Sequence, residues 1–201
     1  MTAKLHVHGF DTSNNMKVRV GLGFKEIDYV WHAIDPSDRS QIEEWTGQFL
    51  TPILEHGGVR LFDSAAILRY LDANYPGTPR LFGTTRDEQW EIDELELFAR
   101  TALANPMYEV VHRKIKGLPV DDERMERCGG EFDRALASIA QRLGGREWLV
   151  GDRMTVADIT SACVLRRIRG SGLLPLPAAA EPLRAWEDRV LHYDGRCRQD
   201  A

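Results

Sequence analysis

Within six residues, Tyr75-Pro76-Gly77-Thr78-Pro79-Arg80, the chain places two prolines and a glycine. Proline lacks the amide proton that helices and ladders need, so no regular element runs through this stretch. It separates two halves of different periodicity. Upstream, apolar residues alternate in short runs; downstream they return every three or four residues. The break predicts an α/β domain over residues 1–75, a linker over 76–85 and an all-helical bundle over 86–201, and 201 residues suffice for two modest cores.

In the first half, Lys4-Leu5-His6-Val7-His8 alternates polar and apolar residues and closes on Gly9, the pattern of a short half-buried strand. Residues 14–24 carry Val18 and Leu22 at helical spacing, and 27–34, with Tyr29, Val30 and Trp31, reads as a second strand. Asp35-Pro36-Ser37 breaks the pattern, and 39–50 is polar and irregular, with at most a turn or two of helix around Ile42 to Trp45. Pro52-Ile53-Leu54-Glu55 and Val59-Arg60-Leu61-Phe62 flank His56-Gly57-Gly58, a β-hairpin whose glycines take the positive φ angles of the turn. Asp63-Ser64 then caps a helix over 65–73. The order is βαβ followed by ββα. The second half predicts helices over 86–104, 107–116, 121–143, 155–169 and 182–192.

Charge and cysteine usage narrow the function classes. A formal net charge of −5, with no run of Lys or Arg, opposes a nucleic-acid partner, which calls for a concentrated basic surface. No apolar stretch approaches the ~20 residues of a membrane span, and Met1-Thr2-Ala3-Lys4 lacks the apolar core of a signal peptide, so a cytoplasmic protein without a membrane partner is expected. Cys128, Cys163 and Cys197 are scattered and odd in number, and the six histidines form no HxxxH pair. Neither a disulfide framework nor a metal site is expected.

Three places bring polar groups to the start of an element. Phe10-Asp11-Thr12-Ser13-Asn14-Asn15 sets hydroxyls and amides at a helix entrance. It serves as an ordinary N-cap or as a site for an anion such as a thiolate, whose pKa falls at helix N-termini. Thr51-Pro52 opens the third strand. A trans bond there merely starts the strand, whereas a cis bond turns the backbone of Thr51 outward toward a peptide ligand. Asp63-Ser64 gathers a carboxylate, a hydroxyl and amide protons, as a plain cap or as a seat for an amino-acid headgroup. In the helical half, Thr155 and Asp158 form a capping box, a structural motif. Pro106 should break or kink the helical stretch beside Met107, Tyr108, Val111 and Arg113 and open a cleft there.

Taken in order, the segment from Ser13 to Val18, Gly23-Phe24-Lys25-Glu26-Ile27-Asp28-Tyr29, Thr51-Pro52-Ile53-Leu54, the run from Leu61 to Leu71 and the run from Leu149 to Ile159 resemble a cytosolic glutathione transferase. The resemblance spans nearly the whole chain. It implies a thioredoxin-like N-terminal domain that binds glutathione as co-substrate. Thr51 would pair with the cysteinyl part ahead of a cis Pro52, and Asp63 with Ser64 would hold the γ-glutamyl headgroup. Ser13 takes the place of the thiolate-stabilising hydroxyl of the serine-using classes, while Thr12 and Asn14 resemble the Thr-x-Asn arrangement of a bacterial class with disulfide-bond reductase activity. The family's Lys or Gln contact to the glycine carboxylate falls in Gly47-Gln48-Phe49-Leu50, where apolar Leu50 stands and Gln48 is the substitute. The acceptor pocket would lie between Phe10, Asp11 and Ser13 on one side and Met107, Tyr108, Val111 and Arg113 on the other, Arg113 favouring anionic substrates. The implied activity is conjugation of glutathione to small electrophiles, a detoxification reaction, by a two-fold homodimer. The alternatives are glutathione-dependent reduction of small disulfides and a non-catalytic binding module.

Overall fold

The computed structural model describes residues 3–172 and 176–201. The chain divides into two units, Met1–Phe82 with His192–Ala201 and Gly83–Leu191. In the first, β1 (Leu5–Gly9) leads through α1 (Ser13–Phe24) to β2 (Tyr29–Ala33). Then come α2 (Ser40–Thr46), the hairpin of β3 (Ile53–His56) and β4 (Val59–Leu61), and α3 (Ser64–Asn74). β1 and β2 run parallel with Leu5 opposite Tyr29, and β3 runs antiparallel to β1 with Ile53 opposite His8. Helices α1 and α3 pack so closely that a Cβ at Gly21 would fall 2.3 Å from Leu68 Cδ2. Any side chain there would have to displace the buried Leu68 methyl group.

The last residues form β5 (Arg198–Asp200), parallel to β2, and complete the order β4-β3-β1-β2-β5. Residues 192–201 therefore belong to the sheet unit, not to the helical domain that the reading over 86–201 expects. Their anchor is Arg19 of α1, whose Nε and Nη2 donate to the Asp194 carboxylate at 2.7 and 2.9 Å. Nor do the first residues of the expected linker hang free. Leu81 and Phe82 are buried in this unit, and Lys25 Nζ donates to the Pro79 carbonyl at 2.9 Å.

Period-two alternation puts Leu5 and Val7 of β1 into the core and His6 and His8 on the opposite face. There His6 Nδ1 and His32 Nε2 share a hydrogen bond of 2.8 Å, and the His8 ring stacks on His32 at 4.4 Å. The His8 Nε2–Glu55 Oε2 contact is 3.0 Å. The stretch after Pro36 holds α2, whose Trp45 sets its ring against His8 at 5.0 Å. Burial first, then the neighbouring His32, holds His8 below its ordinary 6.5; burial, then His6, does the same for His32. A histidine whose folded pKa lies below its unfolded value takes up protons more readily when unfolded. Stability should therefore fall as pH drops from about 6.5 toward 5, and His32→Gln should flatten that slope. Urea midpoints read across this window check it; a midpoint that holds or rises on acidification overturns it.

The second unit comprises α4 (Arg86–Phe98), a π-helical turn (Ala99–Leu103), α5 (Asn105–Ile115), α6 (Asp122–Leu143), α7 (Val156–Ser171), a short 3₁₀ turn (Ala178–Ala180) and α8 (Arg184–Leu191). Helix α7 is buried almost all round and packs against α4, the π turn and α8. Side chains of Thr85 and Asp121 cap α4 and α6, and Gly144, with φ of 49°, ends α6. The single helix expected over 86–104 is α4 followed by the π turn. Pro106 explains the change: its ring clashes with the carbonyl four residues back, at Ala102, and the widened turn relieves the clash. No helix among the described residues is long and apolar enough to cross a membrane.

Candidate functional site

The turn between β1 and α1 is closed by Thr12, the N-cap, in extended conformation. Its hydroxyl oxygen accepts the Asn15 backbone N–H at 3.3 Å and Asn15 Nδ2 at 2.7 Å. Asn15 Nδ2 also donates to Thr51 Oγ1 at 2.7 Å. The Thr51-Pro52 bond is cis and immediately precedes β3. Because β3 pairs antiparallel with β1, the residues before Ile53 come alongside the end of β1, which is how Thr51 reaches the helix start. Thr51 is 6% exposed and Ser13, the first residue of α1, 3%, whereas Thr12 and Asn14 are half-buried.

At α3, Asp63 is the N-cap, exposed, with Oδ1 accepting the Ala66 N–H at 2.9 Å; Ser64 behind it is buried. Two helix N-termini in this unit thus carry oxygen side chains, and a cis peptide bond is tied to the first of them. Such an arrangement suits a ligand that is part peptide and part anion.

Sequence comparison decides the family. Glutathione S-transferase F11 of Arabidopsis thaliana is 31% identical over 187 residues, spanning 86% of this chain and 86% of that protein. The chain belongs to the glutathione S-transferase family. Residues 7–79 match the family model described as Glutathione S-transferase, N-terminal domain, and 122–189 the one described as Glutathione S-transferase, C-terminal domain. The solved structure of a glutathione S-transferase from Rhodospirillum rubrum F11 is similar at 25% identity and a TM-score of 0.78, covering 92% of this chain and 87% of that one. A glutathione S-transferase from Methylobacterium radiotolerans JCM 2831, solved in complex with glutathione sulfonate, superimposes with a TM-score of 0.80 at 20% identity over 96% and 95%. The glutathione S-transferase fold here is a thioredoxin-like N-terminal domain followed by a helical C-terminal domain.

Gln48, Asp11 and the expected residues of the helical unit make the following contacts. Gln48 turns its amide onto its own loop, donating to Leu50 O and Thr46 Oγ1, each at 2.9 Å. The loop has no ladder to satisfy its backbone, so the side chain does so, and the contact expected of Gln48 is not prepared. Arg39, which no sequence signal marks, stands nearby instead. Its guanidinium lies 4.6 Å from the Phe10 ring centroid, and its Nε and Nη1 donate to Pro36 O at 3.0 Å and Phe49 O at 3.3 Å. Asp11 is exposed, 3.6 Å from Arg19.

In the helical unit, Val111 is core at 4% exposure, which a helix of this pattern places inward. Tyr108 stacks on His112 with centroids 5.5 Å apart. Arg113 donates its Nε to Pro119 O at 3.0 Å and so braces the turn after α5. The Met107 side chain lies outside the described residues. A cavity of about 520 Å³ lies between the π turn, α5 and α6, lined by Phe98, Asn105, Pro106, Glu109 and Arg134 among others, and Tyr108, Val111 and Arg113 are not in its wall. Asp158 makes the capping box with Thr155, and its carboxylate also accepts the Leu149 N–H and Trp186 Nε1–H. Sequence spacing reveals the box; these two partners carry no local signal.

Proposed function

We propose that the chain binds glutathione in its first unit, stabilises the thiolate and transfers it to small electrophiles. The observation that carries this reading is the hydrogen-bonded bridge from Thr12, at the start of α1, to Thr51, ahead of the cis Pro52. On this reading the cysteinyl part of the peptide lies along Thr51, its γ-glutamyl end meets Asp63 and Ser64, and its sulfur meets Thr12. Arg39 takes the glycine carboxylate in place of Gln48, since a guanidinium has five donors, of which Pro36 and Phe49 use two. The dipole of α1 and one hydroxyl donor favour S⁻ over SH. The thiol proton leaves to solvent, the sulfur forms a bond to an electrophilic carbon, and the leaving group departs with its electron pair. A cytoplasmic, two-fold homodimer engaged in detoxification belongs to the same proposal.

Thr12 is assigned the hydroxyl role over Ser13 and Asn14, because the N-cap side chain is already held at the helix mouth by Asn15. Retention on immobilised glutathione with turnover of an aryl halide is the expected result. Turnover of a small disulfide alone would favour a reductase, and neither activity a binding module. In the same assays Thr12→Val should lower neutral-pH turnover by roughly 10- to 150-fold, the worth of one hydrogen bond to an anion, with Ser13→Ala nearly silent. An equal or larger loss in Ser13→Ala returns the role to Ser13.

A further inference from the structure

We infer that Asn15 is a positioning residue, which fixes the hydroxyls of Thr12 and Thr51 as outward-facing donors to an anionic ligand. The inference rests on the glutathione reading above and adds a residue to it. Asn15 is fully buried, at 0% exposure. Its Nδ2 carries two protons, and the two threonine oxygens, each at 2.7 Å, take one apiece. Thr12 Oγ1 accepts the Asn15 backbone N–H as well. A hydroxyl has two lone pairs and one proton. With both lone pairs of Thr12 engaged by Asn15, its proton has no use on Asn15 and is left to donate elsewhere. The proton of Thr51 is likewise turned away from the amide that already donates to its oxygen. Two donors preset in this way stabilise an anion over a neutral group, without reorienting when it forms.

The surroundings are shaped around this amide. A Cβ at Gly9 would fall 1.8 Å from Asn15 Oδ1, so β1 ends in the one residue that leaves it room. Oδ1 itself is buried without a hydrogen-bond partner among the described residues. An unpaired buried acceptor weakens the fold, and an apolar side chain would fill the site without that penalty. What Asn15 offers in return is the pair of bonds from Nδ2.

The test uses the full chain as parent, Asn15→Ala, Thr12→Val and the double variant. Each is titrated calorimetrically with glutathione, the ionisation of the bound thiol is followed by thiolate ultraviolet absorbance, and turnover of an aryl halide is measured against pH. Asn15→Ala should raise the pKa of the bound thiol by roughly half to one unit and cut turnover below that pKa by about three- to tenfold, with a smaller change in KM. On the Thr12→Val background it should shift the thiol further by clearly less, because one of the two hydroxyls it positions is gone and only Thr51 remains to be freed. Equal shifts on both backgrounds overturn the inference, as does an unchanged pKa in a folded Asn15→Ala. A lowered pKa also overturns it, since that is the result if Oδ1, not Nδ2, faces the two hydroxyls and takes their protons. Should Asn15→Ala not fold, Asn15→Ser, too short to span both threonines, must show the same rise, and its absence overturns the inference equally. A parent that binds no glutathione ends the reading and the inference together; a thiol shift lost in Thr12→Val but kept in the Asn15 variants ends the inference alone.

Discussion

Replacing Asp158 by alanine is expected to destabilise the helical unit by about 4–6 kcal/mol and to lower the melting temperature by roughly 8–20 °C. The carboxylate is fully buried. Its Oδ1 accepts the Leu149 N–H at 2.9 Å and Trp186 Nε1–H at 3.0 Å; its Oδ2 accepts the Thr155 N–H at 3.0 Å and the Thr155 hydroxyl at 3.2 Å. Burial pushes this carboxyl above the usual range, while the donors from Trp186, Leu149 and Thr155 pull it down. One side chain thus ties the segment before α7, the start of α7 and the first turn of α8. Alanine strands three buried N–H donors, each worth about 1–3 kcal/mol when left unpaired. An ordinary N-cap is worth only about 1–2 kcal/mol, so Thr155→Ala should cost the lesser amount. Asp158→Asn, which keeps one acceptor oxygen, should fall between the two. Urea unfolding of the three variants checks the ranking. If Asp158→Ala loses no more than Thr155→Ala, the carboxylate acts as a local cap and its ties to Leu149 and Trp186 carry little.

The contrast between Thr155 and Asp158 marks where sequence reading stops. The box was legible because both members lie within one helical turn, at a spacing set by backbone geometry. The partners Leu149 and Trp186 come from nine residues before and 28 after Asp158, and nothing in their own neighbourhoods announces the contact. The same division runs through the first unit. Alternation in residues 4–8, the glycines at 57 and 58 and the prolines at 76 and 79 announced β1, the hairpin and the end of α3, since period and turn chemistry are local. β5 was not legible: Arg198-Gln199-Asp200 has no apolar alternation and becomes a strand only because β2 offers it an open edge. The Thr51-Pro52 bond was open to either isomer from sequence, and its partner Asn15 lay hidden among three neighbouring polar residues, Ser13, Asn14 and Thr12, any of which fits a helix entrance equally well.

Lys25 is the clearest case of a residue whose weight only the fold reveals, and Lys25→Met is expected to cost about 3–5 kcal/mol, the usual loss on breaking a buried ion pair from one side. It sits at the C-cap of α1 on the surface of a sequence pattern, yet it is 0% exposed. Its Nζ donates at 2.9 Å to Asp72 Oδ1 and at 2.9 Å to Pro79 O. Asp72, on α3, also accepts the Leu81 N–H at 2.9 Å and Arg80 Nε at 3.2 Å. The ammonium therefore joins the end of α1, the end of α3 and the Pro-rich stretch that follows, and explains why that stretch lies folded against the sheet unit. Methionine matches the length of the stem but leaves the Asp72 carboxylate buried with, among the described residues, only Arg80, itself 47% exposed at the side chain, as a cationic partner. The larger part of the loss is this stranded charge rather than the missing attraction. Adding Asp72→Asn should accordingly recover most of it, because the amide oxygen still accepts from Leu81 and no charge remains unpaired. A double-mutant cycle by urea unfolding at neutral pH tests the argument: additive losses would mean that Lys25 and Asp72 do not act as a pair.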